Sequence, residues 1–124
     1  EGILQQAREN GTGFIAFSPL AQGLLTNRYL NGIPEDSRIA KGGFLKKEPL
    51  TKEVLNRIKA LNEVAAQRGQ TLAEMALAWV LKDEMVTSVI IGASSVAQLA
   101  DNLKAIENTK FTAEELETIQ RILD

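Results

Sequence analysis

The spacing of apolar positions changes several times along this chain, and each change predicts an element. Ile3, Leu4 and Ala7 share one face of a helix that stops at Asn10-Gly11 and reads as the end of a helix whose start lies upstream. Gly13-Phe14-Ile15-Ala16-Phe17 is almost wholly apolar, the pattern of a strand buried on both faces. Pro19 closes it, because proline has no N–H to give a sheet ladder. Residues 20–30 allow one or two helical turns. Residues 31–49 carry Gly32, Pro34, Gly42, Gly43 and Pro49 among charged side chains and predict a long loop, a feature that compact domains keep mainly for function.

Regular spacing returns at residue 51. Val54, Leu55, Ile58, Leu61, Val64 and Ala65 form one stripe of a helix over 51–68, and Gly69 supplies its stop. Thr71-Leu72-Ala73-Glu74 is a capping-box sequence, in which hydroxyl and carboxylate satisfy two N–H groups reciprocally. The helix it opens, about 72–82, is apolar on most sides, and Trp79 within it is expected in the core. Val86-Thr87-Ser88-Val89-Ile90-Ile91 is β-branched and predicts a second buried strand. Gly92-Ala93-Ser94-Ser95 leads into a helix of about 96–106. Thr112-Ala113-Glu114-Glu115 opens a last one with Leu116, Ile119, Ile122 and Leu123 inward. Alternating strands and helices predict an α/β fold with parallel strands and right-handed crossovers. Two strands alone leave both sheet edges unpaired. The pattern therefore reads as the tail of a larger α/β protein, and an ordered chain of this length is expected to pair those edges with another chain.

Composition narrows the chemistry. The 124 residues suffice for one domain or a piece of one. With 44 % hydrophobic and 24 % charged residues the chain belongs with globular proteins rather than disordered ones. Fourteen basic against 16 acidic residues give a net charge of −2, with no basic footprint for nucleic acid or an anionic membrane. There is no cysteine and no histidine, which removes disulfides, thiolate sites and the commonest general base and metal ligand. No apolar run approaches the roughly 20 residues of a membrane span, and the first residues are not a signal peptide. A cytoplasmic location is expected.

Two junctions stand out, each where a strand ends. In α/β folds ligands bind beyond the carboxyl ends of the strands. Phe17-Ser18-Pro19-Leu20-Ala21-Gln22-Gly23 offers a hydroxyl, backbone N–H groups and a glycine, enough to cradle a phosphate; a plain proline turn explains the same residues. Gly92-Ala93-Ser94-Ser95 precedes a helix N-terminus, a ready anion site, but Ser95 with Gln98 also makes a capping box. Asp101 and Asn102 lie more than a turn inside that helix, where a cap no longer explains them and a solvated face explains them better than a ligand. Arg28, Arg38, Lys41, Lys46 and Lys47 give the long loop a cationic character. Tyr29, the only tyrosine, is the only phenolic acid, and packing explains it better.

Taken together the two junctions resemble the C-terminal part of an aldo-keto reductase, in the branch holding potassium-channel β-subunits and glyceraldehyde-phosphate reductases. Phe17-Ser18-Pro19-Leu20-Ala21-Gln22-Gly23-Leu24-Leu25-Thr26 carries the resemblance first. Gly32-Ile33-Pro34 with Ser37-Arg38 follows, then Val89-Ile90-Ile91-Gly92-Ala93-Ser94 with Gln98-Leu99 and Asp101-Asn102. The resemblance implies strands seven and eight of a (β/α)8 barrel that binds NADP(H), with residues 1–124 one incomplete domain lacking the N-terminal strands. It assigns Phe17, Ser18, Pro19, Leu20, Ala21 and Gln22 to the diphosphate and nicotinamide-side ribose, with Gly23 also counted among the cofactor-binding residues. Arg28 and Arg38 fall on the loop over the cofactor. Gly92, Ser94, Gln98, Asp101 and Asn102 fall on the adenosine half. Two positions depart from the family: Arg28 stands where lysine is common, and Asp101 where glutamate is. The family's catalytic tyrosine, aspartate, lysine and histidine belong to earlier strands, and nothing here matches them. The expected role is part of an NADP(H)-dependent reductase of aldehydes or ketones. The alternative is a non-catalytic, NADP-binding regulatory subunit.

Overall fold

Among the described residues a hydroxyl starts four of the five α-helices. In the computed structural model, which describes residues 2–35, 40, 42 and 51–124, Thr51, Thr71, Ser95 and Thr112 adopt extended backbone angles. Each accepts a bond from the N–H three residues on. Such caps are each worth about 1 kcal/mol. They open α2 (Lys52–Gln67), α3 (Leu72–Leu81), α4 (Val96–Leu103) and α5 (Ala113–Leu123). The capping boxes expected at Thr71 and Thr112 form in full. Gly69, at φ 70, ends α2: its N–H bonds the Ala66 carbonyl and that of Gln70 the Ala65 carbonyl. This is the left-handed stop that glycine permits at least cost.

The chain begins with α1 (Ile3–Glu9) and β1 (Phe14–Phe17), and β2 (Val86–Ile90) lies between α3 and α4. Residues 20–30 form two 3₁₀ turns, Ala21–Gly23 and Asn27–Tyr29. The helix expected to reach 106 gives way after Leu103 to a third, Lys104–Glu107. Most of the expected long loop, residues 36–39, 41 and 43–50, lies outside the described residues.

The core is helical. Ile58, Leu61, Val64 and Ala65 of α2 meet Leu72 and Met75 of α3 and Ile119 of α5. Arg68 fastens the far end. Its guanidinium donates to the carbonyls of Asn108 and Lys110 and to Gln70, pairs with Glu115, and lies 3.7 Å from the centre of the Phe111 ring.

β1 and β2 pair in parallel, as the α/β pattern predicts, with Phe17 opposite Ile90 and Ala16 opposite Val89. An irregularity after Phe14 skips Thr87, whose hydroxyl accepts the Phe14 N–H at 3.0 Å. Burial on both faces is not found. Phe14, Ala16, Val86 and Val89 are half-buried, whereas Ile15, Ile90 and Phe17 (78 % exposed) form an open face. The helices among the described residues cover one side of this two-stranded sheet, so hydrophobicity on the other side has nothing to pack on. Trp79 is likewise not in the core: it is 41 % exposed, with the Lys82 ammonium 4.2 Å from its ring. It borders a cavity of about 200 Å³ lined with Pro19, Leu25, Met75 and Leu123. Leu123, expected inward, is 45 % exposed: it shares the inward face of α5 with Ile119, but it stands at the helix end beside the open cavity.

Candidate functional site

Parallel pairing sends both strands to the same edge of the sheet. With Phe17 opposite Ile90, the segment from Ser18 and the segment from Gly92 leave side by side. No single ligand could meet both if the strands ran in opposite directions.

The first segment is strained. Ser18, Ala21 and Gln22 have φ of 53°, 47° and 59°, and Gly23 has φ of 100°. A non-glycine residue in this region costs roughly 1–2 kcal/mol, and such costs gather at binding and catalytic sites. The turn is held from within: Ala21 N–H bonds the Ser18 carbonyl, and both Gly23 and Leu25 N–H bond that of Leu20. Next to it the Thr26 hydroxyl donates to the Gly23 carbonyl at 2.6 Å and accepts the Arg28 N–H at 3.2 Å. Arg28 is thereby fixed in the 3₁₀ turn beside the strained loop, half-buried. Tyr29 is 1 % exposed beneath Gly23, and its hydroxyl has no partner among the described residues. It packs, as its place beside Leu30 predicts.

The second segment is open. Gly92, Ala93 and Ser94 are exposed, and a Cβ added at Gly92 would meet nothing within 4 Å. Ser95 caps α4 as expected, but the capping box is only half made. The Gln98 side chain turns to Ser94 instead, accepting its N–H at 2.8 Å and its hydroxyl at 2.9 Å. The turn before α4 is therefore stiffened in advance.

Asp101 and Asn102 do not form a solvated face. Asn102 is 7 % exposed, and half-buried Asp101 accepts the Thr71 hydroxyl at 3.2 Å. Beyond Thr71 lies Glu74, 6 % exposed, whose carboxyl is pushed above its ordinary range. Burial is the main cause and the neighbouring Asp101 adds to it, against the Thr71 N–H and Lys104. Sequence reasoning saw Thr71 and Glu74 as a cap only. The signal available was a glutamate on a helix with almost no polar face.

Phe17 to Gly23, Arg28, and Gly92 to Asn102 are thus carried by elements around one sheet edge; Arg38 lies outside the described residues, as do Lys41, Lys46 and Lys47. The assembly holds backbone N–H groups, hydroxyls, amides, the Arg28 guanidinium and the Asp101 carboxylate, a set that suits a polar ligand with an anionic part. No cluster of metal-binding side chains occurs among the described residues, and no helix there is long and apolar enough to cross a membrane.

A family model described as Aldo/keto reductase family matches residues 1–124. The chain belongs to the aldo/keto reductase family. Relatives within it agree with the branch indicated by the motifs. The chain is 54 % identical over 128 residues to an L-glyceraldehyde 3-phosphate reductase of Escherichia coli O157:H7, covering 99 % of this chain and 37 % of that protein. It is 39 % identical over 120 residues to a putative voltage-gated potassium channel subunit beta of Schizosaccharomyces pombe, covering 92 % and 35 %. A probable subunit of the same kind from Arabidopsis thaliana is 40 % identical over 101 residues, 79 % of this chain and 31 % of that protein. The chain spans about a third of the length of these curated relatives. The family implies a (β/α)8 barrel, and a small parallel sheet flanked by helices is what part of one contains.

Proposed function

We propose that these residues are the seventh and eighth strands, with their helices, of an NADP(H)-dependent aldehyde or ketone reductase. In this reading they supply one side of the cofactor site and none of the catalytic centre. The observation that carries it is the run of left-handed residues at Ser18, Ala21 and Gln22, strained where β1 meets the edge it shares with β2. A connection serving only to join elements has no reason to keep such strain.

The residues fit the group. The Phe17–Gly23 turn, with Ser18 exposed, would hold a diphosphate and the ribose beside it, and Arg28 would add positive charge. Space beside Gly92, the Ser94–Gln98 pair and the Asp101–Asn102 step accept the adenosine half. Arg38 belongs to the loop over it. When bound, the cofactor supplies the hydride. What this chain contributes is orientation and charge, since it holds no histidine and its one tyrosine is buried. The substrate pocket and the proton donor then belong to residues outside this segment.

A second reading has support in the channel subunits among the relatives: an NADP-binding regulatory subunit without turnover. One assay separates the two. The complete protein is expected to oxidise NADPH in the presence of a simple aldehyde; tight NADPH binding with no turnover favours the regulatory reading, and no binding removes both. The 124-residue chain alone is expected to bind NADPH weakly, because half a site is poorly organised, and submicromolar affinity would contradict this.

A further inference from the structure

Two capping boxes of the same form, threonine followed three residues later by glutamate, have opposite surroundings. In α5 the box carboxylate of Glu115 meets the Arg68 guanidinium. In α3 the box carboxylate of Glu74 meets no cation so directly; the side chain held by the same threonine is another acid, Asp101 of α4. The Thr71 hydroxyl accepts the Glu74 N–H at 3.1 Å and donates to Asp101 Oδ2 at 3.2 Å, while Glu74 accepts the Thr71 N–H at 3.2 Å. Capping needs the first and third of these bonds. The second is additional, and it binds a residue of the candidate site.

We propose that Thr71 and Glu74 are positioning residues for the adenosine half of the dinucleotide site, fixing Asp101 through the threonine hydroxyl and a proton shared between the two carboxyls. The inference rests on the assignment of Asp101 to that half. Two carboxyls bonded to one threonine, one of them buried, are held together best when one proton bridges them. With Glu74 protonated, its O–H donates to Asp101. Once that proton leaves, the two charges repel and Asp101 is displaced from its Thr71-held position. Asp101 of α4 and Lys104 of the following 3₁₀ turn are the charged groups acting on Glu74, and Lys104 opposes the repulsion. Nucleotide affinity at this end then falls as Glu74 ionises.

The test uses the complete protein and 2′,5′-ADP, which reports on the adenosine half alone, with affinity measured by calorimetry across pH. Thr71→Val is expected to weaken binding about fivefold and Thr71→Ser to restore it. Glu74→Gln keeps the cap and gives Asp101 a permanent donor, so its affinity relative to the natural protein should rise with pH; the ratio cancels titration of the ligand phosphates. Independently of ligand, the carboxyl carbon of Glu74 should titrate by NMR above 4.5, and Asp101→Asn should lower that midpoint. An unmoved midpoint, or a Glu74→Gln ratio flat in pH, overturns the inference. If Asp101→Ala weakens binding while Thr71→Val and Glu74→Gln change nothing, the adenosine assignment stands and the positioning role falls. If Asp101→Ala itself changes nothing, the assignment fails and takes the inference with it.

Discussion

Arg68 and Gln22 belong to regions built on different principles. The Arg68 side chain is 2 % exposed and has carbonyls, an amide oxygen, a carboxylate and an aromatic face around it. Its surroundings, the packed faces of α2, α3 and α5, satisfy themselves. Gln22 is exposed, in a backbone conformation that its side chain disfavours, beside an apolar sheet face open to solvent. The helical region therefore supplies stability, and the strand ends spend some of it on geometry. That division is what a binding edge requires, because a turn relaxed for its own sake would have no reason to be aimed at a ligand.

Arg68→Ala should break this contrast most severely. Its loss removes the charge-assisted bonds to Glu115 and to the Lys110 and Asn108 carbonyls, the last of which keeps Gln70, at a cost of about 3 kcal/mol measurable by urea unfolding. Leu72→Ala, at a side chain 2 % exposed in the helical core, should cost about 2–5 kcal/mol. Phe17→Ser should stay within about 0.5 kcal/mol in the 124-residue chain. The same Phe17→Ser change in the complete protein should cost far more if other strands cover that face, so the difference between the two measurements tests the barrel directly. Gly23→Ala, at φ 100° and 3.6 Å from the Tyr29 ring, should cost about 1–2 kcal/mol.

The smallest effect is in pH. Glu74 has its carboxyl raised above 4.5, mainly by burial and then by Asp101, so the fold favours the protonated form. Its contribution to stability is fully present below 4.5 and is lost as pH rises through the folded value. Glu74→Gln removes this dependence: its melting temperature should match the natural chain in acid and exceed it at neutral pH. Equal melting temperatures at both would show that the burial carries no penalty.

Much of this was legible from local pattern. The stripe from Val54 to Ala65, the boxes at Thr71 and Thr112 and the stop at Gly69 need only neighbours within a turn or two, so sequence specifies them. The strand ends were legible as segments, Phe17 to Gly23 and Gly92 to Asn102, and the resemblance related them; their strain and their contacts were not legible. Asp101 illustrates the gap: thirty residues separate it from Thr71, and no local rule connects a residue in α4 to the cap of α3. Trp79 and Phe17 show the converse, since apolar character predicts a wish for burial and cannot say whether a covering element is at hand.

From the order of residues alone came the helices with their caps, the two strands, the anion-friendly segments that follow them and the resemblance to a reductase family. Each of these depends on propensity, periodicity or motif over short spans. Tertiary structure decided the register that sets both segments side by side, that one sheet face stays open, that Ser18, Ala21 and Gln22 are strained there, and that the cap of α3 binds Asp101. Those facts depend on contacts between residues far apart in the chain, where packing selects the partner and local preference has no say.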